Sequence, residues 1–120
     1  MRVDVAFIGT GLVLLIAGVL FGGWIGAGSH YQFADAHAHL NLLGFVIPAI
    51  YGLIYRSYAE LAGSRLRWPH YLAHFAGVLI FVPGLVVVTL TGSPFVLIPG
   101  AILVLMALLI FGYIFYRAAK

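Results

Sequence analysis

Cysteine is absent from this chain of 120 residues. That single absence excludes disulfides, thiolate metal sites, Fe–S clusters and covalent c-type heme attachment. Carboxylates are almost as scarce: Asp4, Asp35 and Glu60 are the only three acidic residues. So few, so far apart, they exclude chemistry built on a carboxylate dyad. Charge of either sign is rare, at 8% of residues, whereas a soluble domain averages about 25%. The formal net charge of +3 comes from basic residues at segment ends, not from a basic stripe, so nothing points to nucleic acid. What the chain has in excess is apolar surface, at 64% hydrophobic residues. A core of this size cannot hide that excess, so the first partner is the lipid bilayer.

The apolar residues fall into four runs: Val5–Ala27, Ala36–Tyr58, Tyr71–Thr91 and Phe95–Tyr116. Each is about 20 residues, the length an α-helix needs to cross hydrocarbon. Short connections rich in glycine, serine and proline join them. The expected fold is all-α: a polytopic membrane protein, an antiparallel four-transmembrane-helix bundle, forming one domain over residues 1–120. Pro69 and Pro94 suit the first turns of the third and fourth helices, with Ser93 as a cap. Pro83 and Pro99 lie inside those two runs and predict kinks. Arg2 precedes the first run; Arg56, Arg65 and Arg67 lie around the second connection; Arg117 and Lys120 follow the fourth run. The other two connections carry neither lysine nor arginine. The positive-inside rule then places both termini and the middle loop in the cytoplasm, with the spans in a bacterial inner membrane. Trp24, Tyr31, Trp68, Tyr71 and Tyr116 mark the two interfaces.

The first run is longer than the apolar part of a secretory signal and reads as a retained helix. It carries Gly18, Gly22 and Gly26, each four apart. That spacing makes a face without side chains, on which another helix can approach closely.

The densest chemistry lies in Ala36-His37-Ala38-His39-Leu40-Asn41-Leu42-Leu43-Gly44. Ionisable groups within a membrane are expensive, so a functional site is the default reading. At 100° per residue, His37, Asn41, Gly44, Pro48, Tyr51 and Tyr55 share a narrow sector of the second helix. This polar and small stripe predicts contact with protein or with a cofactor. His39 points to the opposite side, among Leu43, Val46 and Ile50. Asp35 precedes it by one helical turn, where a carboxylate can hold a ring N–H and fix the tautomer. Two candidate ligands, His37 and His39, therefore sit on two faces, and they point too far apart to grip one ion together.

The same residues carry a resemblance. His37 followed by Val46-Ile47-Pro48-Ala49 resembles the second helix of subunit I of the heme-copper oxidases. His39-Leu40-Asn41-Leu42-Leu43 resembles the corresponding helix of the nitric oxide reductases. Ala34-Asp35-Ala36-His37 with Gly44 also resembles the heme-binding helix of the styrene oxide isomerases, small four-helix membrane proteins. In these families the helix donates an axial histidine to heme near the outer face. The resemblance implies heme b, an iron ligand at His37 or His39, and a pocket lined by Asn41, Gly44, Tyr51 and Asp35. It further implies a homo-oligomer, a trimer if the isomerases are the guide, and a redox partner if the protein transfers electrons. Two departures matter. The copper-site histidines of the oxidases have no counterpart, and no arginine lies outside to pair with heme propionates. Electron transfer, heme-dependent isomerisation and binding of a small gas all stay open, and with them whether the chain is an enzyme. Two other readings stand beside these: an accessory or interaction protein without cofactor, and a protein that handles metal or heme.

His70 and His74 lie one turn apart, a spacing that suits a shared metal. They follow Trp68-Pro69 and neighbour Arg65 and Arg67. That context predicts a solvated or headgroup-facing pair. Asp4 and Glu60 are expected among the cytoplasmic arginines.

Overall fold

The computed structural model describes residues 1–120 and is helical throughout, with no strand. Four helices are long and apolar enough to cross a membrane: Val3–Gly28, Tyr31–Ser57, Arg67–Thr91 and Leu97–Ala119. We call these the first to fourth spans. The molecule extends 49 Å along its long axis, a little more than a bilayer with its headgroups, which is about 40–45 Å. Only 24 of the 120 residues are buried. Ile16, Leu20, Ile50, Leu79, Leu90, Leu105 and Leu109, which between them lie on all four spans, are exposed. Water solvates so extensive an apolar surface poorly, whereas hydrocarbon would solvate it well.

The second and third spans start five and four residues before the composition-based limits, and the fourth starts two residues after its limit. The second span begins at Tyr31 with a 3₁₀ turn, Tyr31–Phe33, before the α-helix Ala34–Asn41. The third span begins at Arg67, because the Arg67 guanidinium bonds the Ser64 carbonyl at 2.9 Å and anchors the turn. Pro69 accordingly falls in its first turn, as expected. The fourth span starts at Leu97 rather than at Phe95, so Ser93 does not cap it and Pro94 lies before its first turn, contrary to expectation, whereas Pro99 lies in the first turn and removes no interior hydrogen bond. Pro83 remains inside the third span. A short helix, Ala59–Ala62, leads from the second span towards the third.

Glycine sets the closest approaches. A Cβ at Gly100 would fall 2.7 Å from the Phe81 Cα, and one at Gly84 would fall 2.6 Å from the Leu97 Cα. The third and fourth spans therefore meet backbone to backbone. The first span packs on the second in the same way. A Cβ at Gly22 would lie 2.6 Å from the His37 ring, and one at Gly52 would lie 3.0 Å from the Asp4 carbonyl oxygen. Gly18 lies against the Asn41 side chain. Two of the three four-spaced glycines thus serve contact within the chain. Gly26 is the exception: its Cβ position is open.

Candidate functional site

The polar stripe of the second span faces protein for most of its length. Gly44, Pro48, Tyr51 and Tyr55 are buried, and His37 and Asn41 are half-buried. The first span covers the His37 half of the stripe, with His37 on Gly22, Asn41 on Gly18, and Gly44 against Leu14.

At the end of the stripe nearer Tyr31, His37 Nδ1 lies 2.9 Å from the Gly18 carbonyl oxygen. A carbonyl only accepts, so Nδ1 carries the hydrogen, and the neutral ring has a bare lone pair on Nε2. His39 has the same arrangement. Its Nδ1 donates to the backbone carbonyl of Asp35 at 2.8 Å. The expected carboxylate support is therefore corrected: Asp35 contributes its main chain, because the i−4 carbonyl lies closer to an imidazole on the same helix than an exposed side chain does. Neither Nε2 is sealed in the interior. An imidazole held by Nδ1–H to a carbonyl, with Nε2 free, is the tautomer a metal ligand needs.

The surroundings of the two rings differ. Phe21 meets the His37 ring edge-on at 6.3 Å, Trp24 packs on Phe33 and stacks on His30 at 3.8 Å, and the open Gly26 lies one turn beyond Gly22. A wholly apolar hollow of about 130 Å³ lies among Phe21, Trp24, Phe33 and Val86. His39 packs against Phe81 of the third span at 5.4 Å. The two rings share no centre, and no three His, Asp or Glu side chains converge anywhere in the molecule. A zinc or copper ion, which wants three or four such ligands, has no ready cage here.

The half of the stripe nearer Arg56 holds the chemistry that sequence reasoning misplaced. His70 and His74 are not solvated; both are 0% exposed. Tyr51 and Tyr55 oppose them from the second span. The Tyr55 hydroxyl lies 2.9 Å from His70 Nδ1. The Tyr51 ring lies 4.4 Å from His70 and 5.4 Å from His74, edge-on to both. Phe7 of the first span and Phe111 of the fourth close the sides. Tyr51 therefore belongs to this cluster and not beside His37, from which it is separated by about 21 Å of helix. The correction has a simple origin. The third span starts one turn earlier than its apolar run, which draws His70 inside. A signal was present: tyrosines four apart on one helix face histidines four apart on the next.

His74 explains a local irregularity of the second span. Residues Leu42–Val46 form a π turn. In it the Ile47 N–H bonds the Leu42 carbonyl instead of that of Leu43. The next amide that could reach Leu43 belongs to Pro48, which has no N–H. The Leu43 carbonyl is thus left without a main-chain donor. His74 Nε2 supplies one at 2.7 Å. That fixes the hydrogen on Nε2 and leaves Nδ1 as a bare acceptor. π turns of this kind are frequent at functional sites.

Four buried side-chain atoms have no partner: Asn41 Oδ1, Tyr51 Oη, His70 Nε2 and His74 Nδ1. All four lie on the stripe or face it. At the arginine-bearing end, Asp4 pairs with Arg2 at 2.7 Å, as expected of an acid among these arginines. No model of a known protein family matches the chain, and neither a curated protein nor a solved structure does.

Proposed function

We propose that the protein is an integral membrane heme b protein, lodged in a bacterial inner membrane with both termini cytoplasmic, and that His37 Nε2 is its axial iron ligand. The observation that supports this reading is the pairing of a fixed tautomer with open space. The Nδ1–H of His37 is committed to the Gly18 carbonyl, its Nε2 is bare, and the glycine face continues to an unfilled Gly26. A porphyrin is flat and largely apolar, so the open surface at Gly26, near Phe21, Trp24 and Phe33, suits its edge. The hollow of about 130 Å³ is far smaller than a porphyrin, so the ring lies at a contact between copies of the chain in a homo-oligomer. Bound there, heme supplies a redox centre or an open iron position. The chain orients the imidazole and keeps water from one face.

A specific observation favours His39 as the second reading. It has the same tautomer, fixed by the Asp35 carbonyl, on the opposite face of the helix. The experiment is an absorption spectrum of detergent-purified protein from heme-replete cells. The expected result is a Soret band that His37→Ala removes and His39→Ala leaves. The reverse pattern assigns the iron to His39. Colourless wild-type protein overturns the proposal and favours an accessory protein without cofactor. A six-coordinate low-spin spectrum points to electron transfer with a redox partner. A five-coordinate one points to isomerisation or binding of a small gas.

A further inference from the structure

The arginine-bearing end holds a cavity that plays no part in the heme reading. Its volume is about 370 Å³, and Arg2, Asp4, Tyr55, Arg56 and Arg67 line it. Sites for small molecules commonly measure about 300–1,000 Å³. The charges on its walls do not cancel. The Arg2 guanidinium grips the Asp4 carboxylate twice, at 3.1 and 2.7 Å, and theirs is the only ion pair in the molecule. Arg67 gives one bond to the Ser64 carbonyl, and Arg56 has no carboxylate partner. The Tyr55 hydroxyl is taken by His70. Glu60 lines other hollows, on the side of the fourth span. Two guanidinium groups therefore share one cavity with no anion to balance them. A guanidinium fork matches a phosphate, which it can hold through two parallel bonds.

A second hollow, also of about 370 Å³, is lined by Val5, Gly9, Thr10, Val13 and Tyr71. Met1 is a wall of both, and Arg67 and Tyr71 lie one turn apart on the third span. The second hollow thus leads from the arginines along the first span. Its two hydroxyls, on Thr10 and Tyr71, bond each other at 2.6 Å, so its walls offer hydrocarbon no unpaired side-chain group. Nothing lies within 4 Å of a Cβ placed on Gly9, which leaves its middle open. From Val5 to Val13 is about 12 Å of helix, most of the roughly 15 Å of hydrocarbon in one leaflet. A charged mouth at the interface and an apolar groove of leaflet depth are the two halves of a phospholipid.

We propose that the two hollows together seat one anionic phospholipid from the leaflet at the arginine-bearing end. Its phosphate lies on Arg56 and Arg67, and one acyl chain runs along Gly9 between Val5 and Val13. Basic pockets between membrane helices are suited to such headgroups. A zwitterionic lipid fits less well, because its ammonium brings a third cation to a cavity that already holds two unbalanced ones. A free phosphate ester would satisfy the arginines but leave the groove unused.

The test is native mass spectrometry of the heme-depleted, detergent-purified full chain, titrated with phosphatidylglycerol or with phosphatidylcholine of the same acyl chains. Wild type is expected to retain one phosphatidylglycerol per chain, saturably and in preference to phosphatidylcholine. Arg56→Gln should weaken that binding by at least about fivefold. Arg67→Gln reads the same site if Arg56→Gln fails to fold. Gly9→Leu, which fills the groove, should weaken binding as well. Two controls should bind as wild type does: Arg117→Gln, outside the cavity, and Gly112→Leu, at an equally open glycine of the fourth span. Glycerol phosphate, a headgroup without chains, should fail to displace the lipid. Equal retention of the two lipids overturns the proposal, as does wild-type binding by a folded arginine variant. An equal loss in Arg117→Gln overturns it in favour of diffuse attraction to basic residues. Displacement by glycerol phosphate, with no effect of Gly9→Leu, overturns it in favour of a soluble phosphate ester. None of these outcomes depends on whether a Soret band is found.

Discussion

A single hydroxyl separates Tyr51 from Tyr55 in consequence. The Tyr55 hydroxyl is paired with His70, whereas the Tyr51 hydroxyl has no protein partner. Tyr55→Phe therefore leaves a buried imidazole nitrogen unpaired and should destabilise the bundle by about 1–3 kcal/mol. Thermal or detergent unfolding measures that loss. Tyr51→Phe should cost less, because no protein contact is broken. Equal losses would contradict the hydrogen-bond assignment. Histidine positions show how far residue-level reading went. The orientation of His37 towards protein was legible from the 100° periodicity, because Asn41, Gly44, Pro48 and the tyrosines repeat on its face. The burial of His70 was not, because neighbouring arginines suggest water, and only the fold shows that Arg67 ties back to Ser64 and opens a helix whose first turn carries His70 inside.

The second span is the element on which most depends. Its π turn exposes the Leu43 carbonyl, and His74 answers it. His74→Phe fills the same space without a donor, so the carbonyl stays orphaned at a cost of about 1–3 kcal/mol. His74→Gln keeps a donor and should recover part of that loss in the same unfolding assay; no recovery would mean the bond matters less than the ring packing. Periodicity revealed which face of this helix is polar, although the helix starts at Tyr31, five residues before its apolar run. The pattern could not reveal the π turn, since that depends on which amide reaches which carbonyl once Pro48 has withdrawn its own. The first span offers a paired test. A Cβ at Gly22 meets the His37 ring at 2.6 Å, so Gly22→Ala should displace the imidazole and cost about 1–3 kcal/mol through overpacking. Gly26→Leu enters open space and should change unfolding by no more than about 0.5 kcal/mol. It should nevertheless weaken heme binding if the porphyrin lies on that face, which a heme titration of the variant measures.

At the scale of the molecule, the four spans were legible because apolar runs long enough for a bilayer have few other uses. All six basic residues lie before the first span, at or between the second and third, or at the end of the fourth. An even number of crossings puts the two termini on one side. Reporter fusions at Met1 and Lys120 should both report the cytoplasm, and a split result would contradict the topology. The site was less legible than the scaffold. Periodicity brought out two outer histidines, but it gave no sign that their Nδ1 atoms would both be held by carbonyls, nor that Tyr51 would join a separate buried cluster.

The most direct measurement is a heme titration of the detergent-purified, heme-depleted chain, followed in the Soret region. The account predicts saturable binding by wild type and its loss in the variant carrying both His37→Ala and His39→Ala, with helix content unchanged by circular dichroism. Binding that survives in the double variant, or wild type that never saturates, would contradict it.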